Sequence, residues 1–139
     1  MTASETLKYF YEVISSSSSR YDEIERFVSA DCTARVGETS VPIGLEGMRR
    51  HLIDVRKTYP GMKLRVIRQF VDGDHVISEV IMEGTHLGEW LGIKPTGKKL
   101  RISVVNIDTL KDGKIIEHGG AANVFDAFWS ENIIRPWND

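Results

Sequence analysis

The sequence predicts a single α+β domain. The chain has 139 residues, the usual size of one domain. Apolar residues recur at helical spacing as far as Tyr59, and strand-like alternation between turn residues follows Gly61. Hydrophobic residues make up 41% of the chain and charged residues 27%, which allows a packed core. We therefore treat residues 1–139 as one domain, with helices first and antiparallel strands afterwards.

Three helices are predicted in the first part of the chain. In 7–14 and 21–28, apolar residues stand three and four positions apart, and the five serines at 15–19 predict the loop between these helices. A brief strand is predicted at 32–36. Gly44 opens the third helix, which runs to about Tyr59 before a Pro-Gly pair.

Four longer strands and a C-terminal helix or tail are predicted after Gly61. Asp72-Gly73-Asp74 indicates a hairpin between its two neighbouring strands. A register that pairs Val71 with His75 places Phe70 and Met82 on one apolar face. The predicted strands are 63–71, 75–86, 99–110 and 114 to about 123, followed by the helix or tail at 125–129.

Composition argues against several kinds of partner. The net charge of −2 and the pI near 6.1 argue against binding to nucleic acid or to an anionic membrane. Cys32 is the single cysteine, so the chain has no internal disulfide, and no metal-ligand spacing is visible. There is no signal peptide pattern and no apolar run of the ~20 residues that span a bilayer. We expect a cytoplasmic protein without a membrane partner.

Three segments carry a likeness to a known family. They are Gly-Thr-His-Leu-Gly at 84–88, Gly-Ile-Lys-Pro-Thr-Gly-Lys at 92–98 and Asp-Gly-Lys-Ile-Ile-Glu-His at 112–118. In this order, they resemble the SnoaL-like polyketide cyclases of the NTF2-like superfamily, over nearly the whole chain. The resemblance implies a cone of a curled antiparallel β-sheet packed with three N-terminal helices around one pocket. It also implies a homodimer or higher homo-oligomer, and an intramolecular aldol cyclisation without cofactor or metal.

The positions that carry the family's chemistry hold amides in this chain. Counted from the Asp-Gly-Lys-Ile turn, the family's acidic position falls on Asn123 and its histidine position on Asn106. An amide donates and accepts hydrogen bonds but does not titrate. We therefore predict that Asn123 and Asn106 polarise a substrate carbonyl, with His86 as the leading ionisable group. Asn106 lies in an apolar row, where it either satisfies a neighbouring backbone group or meets a ligand carbonyl.

Several candidates keep two interpretations. His86 is either a neutral base or a residue that orders the loop after it, and Trp90 is either a pocket lid or an interface aromatic. The small residues at 119–122 either widen a pocket or allow close packing. Glu117 either points into the cavity or pairs with a charge. His118, on the face opposite Asn123 in a regular strand, is predicted at the surface or an interface, unless a bulge near Gly119-Gly120 changes its face. The predicted substrate-binding residues are Trp90, Phe70, Met82, Val104, Gly119, Ala121 and Glu117.

The sequence thus predicts a cofactor-independent cyclase or isomerase, with aldol-type lyase chemistry, for a hydrophobic, carbonyl-bearing small molecule. One alternative is a non-catalytic module that binds a small molecule in the same cone. Another is a structural oligomerisation module, which would need Phe70, Trp90 and Phe125 to fill the cone. An open cavity on which Asn106, Asn123 and His86 converge would favour a ligand site.

Overall fold

The computed structural model describes residues 1–134, and its mixed architecture confirms the predicted α+β class. Three helical segments come first: α1 Ala3–Tyr9, a π-helical turn Phe10–Ile14 and a 3₁₀ helix Ser18–Arg26. The Thr2 hydroxyl caps α1 by accepting a hydrogen bond from the Glu5 amide at 3.2 Å. Both N-terminal helices are therefore present, although the second is 3₁₀ and takes in the last two residues of the serine run.

The sheet has six strands, β1 Val28–Val36, β2 Thr39–Pro42, β3 Lys63–Asp72, β4 His75–Thr85, β5 Lys99–Lys111 and β6 Lys114–Ala122. Their order is β2-β1-β6-β5-β4-β3, and the curled sheet does not close. The neighbouring strands are antiparallel as predicted except for β1 and β6, which are parallel. Sequence alternation does not report which distant strands become neighbours. β2 was not predicted: all four of its residues are exposed, so no apolar alternation marks it.

A one-residue bulge at Ile67 reverses the outer half of β3. The residues before it pair as predicted, but Arg68 then pairs with Glu79, one position beyond the predicted partner. Since side chains alternate along a strand, the bulge turns Phe70 to the outer face, where it is 53% exposed. The prediction that Phe70 shares an apolar face with Met82 is wrong for this reason.

A second bulge, at Ile116, has the same effect in β6. Ile115 and Glu117 pair with successive residues of β5, which leaves Ile116 as the extra residue. Beyond the bulge, each side chain lies on the face opposite to the one predicted by counting residues in alternation from the turn between β5 and β6. His118 therefore faces inward, and the prediction that it lies at the surface or an interface is wrong.

Two further helices and two apolar clusters complete the fold. α2 Gly44–Thr58 confirms the predicted third helix and buries Met48 and Leu52. α3 Val124–Ser130 follows β6 directly and buries Phe128 in the smaller cluster, while the larger cluster joins the N-terminal helices to the sheet. No helix within residues 1–134 has the length and apolar character needed to cross a membrane.

Candidate active site

A cavity of about 480 Å³ lies between the inner face of the sheet and α2, with the π-helical turn as part of its wall. This volume is in the usual range for a small-molecule pocket. Its wall is mostly apolar and includes Phe10, Ile43, Met48, Leu52, Val55, Met62, Leu64, Met82, Ile102 and Val104. The small residues at 119–122 line it near the surface, and the two glycines are closely packed there: a Cβ would lie 2.8 Å from the Arg35 Cβ at Gly119 and 2.1 Å from the Val105 carbonyl oxygen at Gly120.

A buried acid–base pair stands at one end of this cavity. His118 lies on the wall, and its Nδ1 is 2.6 Å from Oδ1 of Asp108, which is fully buried behind it. The two residues are direct partners across β5 and β6, so they share the inner face of the sheet. A carboxylate only accepts hydrogen bonds, so Nδ1 carries the hydrogen and Nε2 remains for a ligand.

Tyr11 completes the coordination of the buried carboxylate. Its hydroxyl donates a hydrogen bond to the second oxygen of Asp108. Tyr11 belongs to the π-helical turn, and such turns are frequent at functional sites. Asp108 therefore has a hydrogen bond on each oxygen, which fixes its orientation and that of His118.

The carboxylate sets the charge preferences of its neighbours. Burial acts against the imidazolium of His118, but the hydrogen bond and the charge of Asp108 together raise the pKa of His118 above its ordinary value. Burial, followed by the charge of Asp108 and its hydrogen bond, raises the pKa of Tyr11 well above its ordinary value. His118 is thus the group of the two that can be deprotonated and accept a proton, and Tyr11 stays protonated.

A second imidazole and an amide border the same region. The ring of His51, on α2, lies 6.0 Å from the ring of His118, centroid to centroid. His51 keeps an exposed side, but desolvation by the atoms packed around it, and then the nearby His118, lower the pKa of His51, so it remains neutral more readily. Asn106 is half-buried on the wall, one inward position along β5 from Asp108.

Six of the ten predicted site residues lie on the cavity wall: Asn106, Trp90, Met82, Val104, Gly119 and Ala121. Four lie elsewhere. Phe70 faces outward, and Glu117 accepts a hydrogen bond from the Ser40 hydroxyl at 2.8 Å on the other face. The sequence predicts that Asn106, Asn123 and His86 converge on one point, but in the structure they do not.

Asn123 lies at the exposed start of α3 and caps it. Its Oδ1 accepts from the Asp126 amide at 3.2 Å, and its Nδ2 donates to the Asp126 carboxylate at 2.7 Å. It follows the last residue of β6, and the bulge at Ile116 places it in the outward-facing register. This is the cap interaction that favours asparagine before a helix.

Asn123→Ala is expected to lower the free energy of unfolding by ~1 kcal/mol through loss of the cap, with ligand binding unchanged. Urea unfolding and a binding titration would check this, with Asn123→Ser as the control that keeps a capping oxygen without adding a carboxylate beside Asp126. Lost binding at unchanged stability would instead place Asn123 at the ligand.

His86 is buried beside the cavity rather than on its wall. Its Nδ1 lies 3.1 Å from the Thr96 hydroxyl, and its ring stacks on Phe128. Its backbone amide donates to the Lys98 carbonyl at 2.8 Å, and its carbonyl accepts from the Gly97 amide at 2.9 Å. These contacts agree with the interpretation in which His86 orders the loop after β4.

The sequence analysis did not select Asp108, Tyr11 or His51. Asp108 did carry a signal: it continues the apolar row of β5 that contains Ile102, Val104 and Asn106, where a carboxylate needs a partner. Tyr11 and His51 resemble ordinary core and surface positions of their helices. Among residues 1–134, no group of three or more His, Cys, Asp or Glu side chains is placed to hold a metal ion.

Solved structures share this fold. A SnoaL-like polyketide cyclase from Agrobacterium tumefaciens has a TM-score of 0.81 at 14% identity, over 95% of this chain and 98% of its own. IdmH from Streptomyces antibioticus has a TM-score of 0.77 at 21% identity, over 95% and 99%. TsrD from Streptomyces laurentii has a TM-score of 0.72 at 17% identity, over 95% and 93%. At these identities, the likeness shows the fold alone.

Sequence comparison identifies the family. No curated protein matches the chain. The profile of the SnoaL-like polyketide cyclases matches residues 5–130, which include β1 to β6, both ends of the cavity and the Asp108–His118 pair. This chain therefore belongs to the SnoaL-like polyketide cyclase family.

Proposed function

We propose that this chain is a cofactor-independent cyclase or isomerase that acts on an apolar, carbonyl-bearing small molecule. The observation that carries the proposal is the buried Asp108–His118 pair on the wall of an apolar cavity. A base oriented by a buried carboxylate is the arrangement that proton transfer requires. Membership of a family of polyketide cyclases supports the same class of reaction.

In this proposal, Nε2 of His118 takes a proton from a carbon next to a carbonyl group. The electron pair of the broken C–H bond moves into the enolate, and the enolate carbon attacks a second carbonyl carbon of the same molecule. A C–C bond forms, and the imidazolium returns its proton to the new alkoxide oxygen. Asp108 holds the imidazole in the required tautomer and stabilises the imidazolium. The cavity supplies the folded geometry, which lowers the entropic barrier to ring closure.

Asn106 supplies the hydrogen-bond donor for the enolate oxygen in this proposal. Its amide lies on the wall beside the acid–base pair, where a donor stabilises negative charge as it develops. The carboxylate that is lacking at Asn123 is supplied by Asp108 from the neighbouring strand. An amide at Asn123 is therefore compatible with proton transfer.

The alternatives differ in what they require of the cavity. A structural module would need aromatic rings to fill it, but Phe70 and Phe125 face outward, at 53% and 60% exposure, which favours a pocket. A non-catalytic binding module fits the apolar wall but gives the acid–base pair no part. The homodimeric assembly and the cytoplasmic location stay predictions.

Hydrogen–deuterium exchange at a carbon between two carbonyl groups tests the proposal without a known substrate. β-Diketones and β-keto esters with one or two aromatic rings would be incubated with the protein in D₂O and followed by proton NMR. We expect at least one compound that binds to exchange faster than in buffer. Binding without faster exchange would favour the binding module, and absence of binding across the panel would contradict the proposal.

Asp108→Asn is expected to lower this exchange rate by on the order of 10²-fold or more, because the imidazole loses its orienting carboxylate. The pH at which the rate rises should also move. His118 must be neutral to accept a proton, and Asp108 is what raises its pKa; without that charge, burial remains and lowers it. The rising limb should therefore shift to lower pH. Asp112→Asn, in an exposed turn, is the matched control, and an unmoved limb in Asp108→Asn would contradict the assignment.

A further inference from the structure

Three buried polar groups of the cavity wall lack a hydrogen-bond partner among residues 1–134. They are the Tyr59 hydroxyl, the Ser15 hydroxyl and the indole N–H of Trp90. Tyr59 and Ser15 are almost completely inaccessible to solvent. Folded proteins rarely leave buried donors unpaired, because such a group loses its bonds to water without replacement. A ligand in the cavity would provide the missing acceptor.

The three groups lie at the same end of the cavity. The rings of Tyr59 and Trp90 are 5.9 Å apart, centroid to centroid. Tyr59 belongs to the same, smaller core cluster as Ile102. Ser15 is placed near them by its neighbour Ser16, whose hydroxyl accepts a hydrogen bond from the Leu64 amide at 2.8 Å. We call Ser15, Tyr59 and Trp90 the Tyr59 end.

The Tyr59 end is distant from the acid–base pair. Leu64 pairs with Met82, and Met82 pairs with Ile102, so this end lies at the Ile102 level of β5. Asp108 is six residues further along the same strand, which corresponds to about 20 Å between Cα atoms. One elongated molecule could therefore reach from one polar end of the cavity to the other through the apolar middle.

The side chains of the Tyr59 end are uncharged. Burial raises the pKa of Tyr59 to about 12, so its hydroxyl remains a donor. Two cations lie nearby: the Lys63 ammonium donates to the Ser16 carbonyl, and the Arg56 guanidinium donates to the Tyr21 hydroxyl and to the backbone carbonyls of Ser15 and Met62. Their hydrogen bonds are therefore directed to protein acceptors, and the end suits an uncharged oxygen better than a carboxylate.

We propose that the Tyr59 end is a second recognition site, which binds a neutral carbonyl or hydroxyl oxygen at the far end of an elongated, ring-bearing ligand. The inference deepens the proposed function: with one oxygen at the Tyr59 end, the reacting carbonyl group lies at His118. It specifies a substrate with two oxygen functions separated by an apolar body.

Tyr59→Phe tests the site with two probes of one shape, biphenyl and para,para′-biphenol. The variant keeps the ring and removes only the hydroxyl. Titration calorimetry should show biphenol affinity falling about tenfold, the loss of one well-made hydrogen bond, with biphenyl affinity unchanged. The thermal midpoint of the free protein should be equal or higher, because an unpaired buried hydroxyl has been removed. Trp90→Phe should change biphenol affinity in the same direction.

Tyr9→Phe is the matched control. The Tyr9 hydroxyl accepts a hydrogen bond from Arg20 at 3.0 Å and does not border the cavity, so both affinities should stay as in the wild type. Equal biphenol affinity in wild type and Tyr59→Phe, or equal weakening of both probes, would overturn the second site. Since these are binding measurements, they test the second site even if the protein catalyses no proton exchange. The proposed function is tested separately, by whether the His118 variants lose exchange.

Discussion

His118→Gln is expected to lower the proton-exchange rate by roughly 10²–10⁴-fold, the usual contribution of a positioned general base. Glutamine can still donate a hydrogen bond to Asp108, so the buried carboxylate keeps a partner and the fold should persist. It has no titratable nitrogen, so the chemistry should be lost while ligand affinity changes little. Exchange kinetics by NMR, together with a binding titration of the same compound, separate the two effects.

His75→Gln is the matched control for this substitution. His75 lies at the exposed start of β4, with its Nδ1 2.9 Å from the Thr109 hydroxyl, and it does not line the cavity. Its replacement should leave exchange unaffected. A wild-type rate in His118→Gln would show that another group is the base, and His51 would then be the first to test because it shares the cavity.

Gly120→Ala is expected to lower the free energy of unfolding by at least ~3 kcal/mol, through backbone strain and steric overlap combined. A Cβ at this position would lie 2.1 Å from the Val105 carbonyl oxygen and 2.8 Å from the Cα of Asn106. Its φ of +148° is one that residues with side chains rarely adopt. Both contacts are with backbone, so β5 and β6 would have to separate beside the acid–base pair. Urea unfolding of the purified variant measures the loss.

Gly37→Ala separates strain from overlap. Its φ is +61°, but a Cβ there meets nothing within 4 Å, so the expected cost is only ~1 kcal/mol. Equal losses at the two glycines would contradict the close approach of β6 to β5 at Gly120. A Gly120→Ala variant that is as stable as the wild type and exchanges protons at the wild-type rate would contradict this close approach more strongly.

Local patterns in the sequence were sufficient to predict most elements of this fold. The spacing of Met48 and Leu52 marked α2, and the Asp-Gly-Asp turn marked the hairpin of β3 and β4. The bulge at Ile67 could not be predicted, because one extra residue leaves no compositional trace. In β6, Gly119-Gly120 indicated that a bulge was possible nearby, but did not place it at Ile116. Each bulge reverses the faces of every residue beyond it, which moves Phe70 out of the predicted pocket.

The candidate site was predicted only in part, and the bulge in β6 explains the errors. Counting from the turn of β5 and β6 gave Asn123 the inward position and His118 the outward one, whereas the bulge at Ile116 reverses them. The face of Asn106 was predicted from its apolar row in β5, where the extra residue of β6 does not interrupt the alternation, and this face is the observed one. The position of Tyr11 depends on a π-helical turn, which helical spacing does not distinguish from an ordinary helix.

The most direct measurement of the central claim is a ¹⁵N-histidine NMR titration of the protein, with and without a bound β-diketone. We expect one histidine, absent in His118→Gln, to carry its proton on Nδ1 when neutral and to titrate above the ordinary pKa of about 6.5. Its Nε2 resonance should shift when the diketone binds. A His118 that titrates as a solvent-exposed side chain, or whose Nε2 does not respond to the ligand, would contradict its role as the base.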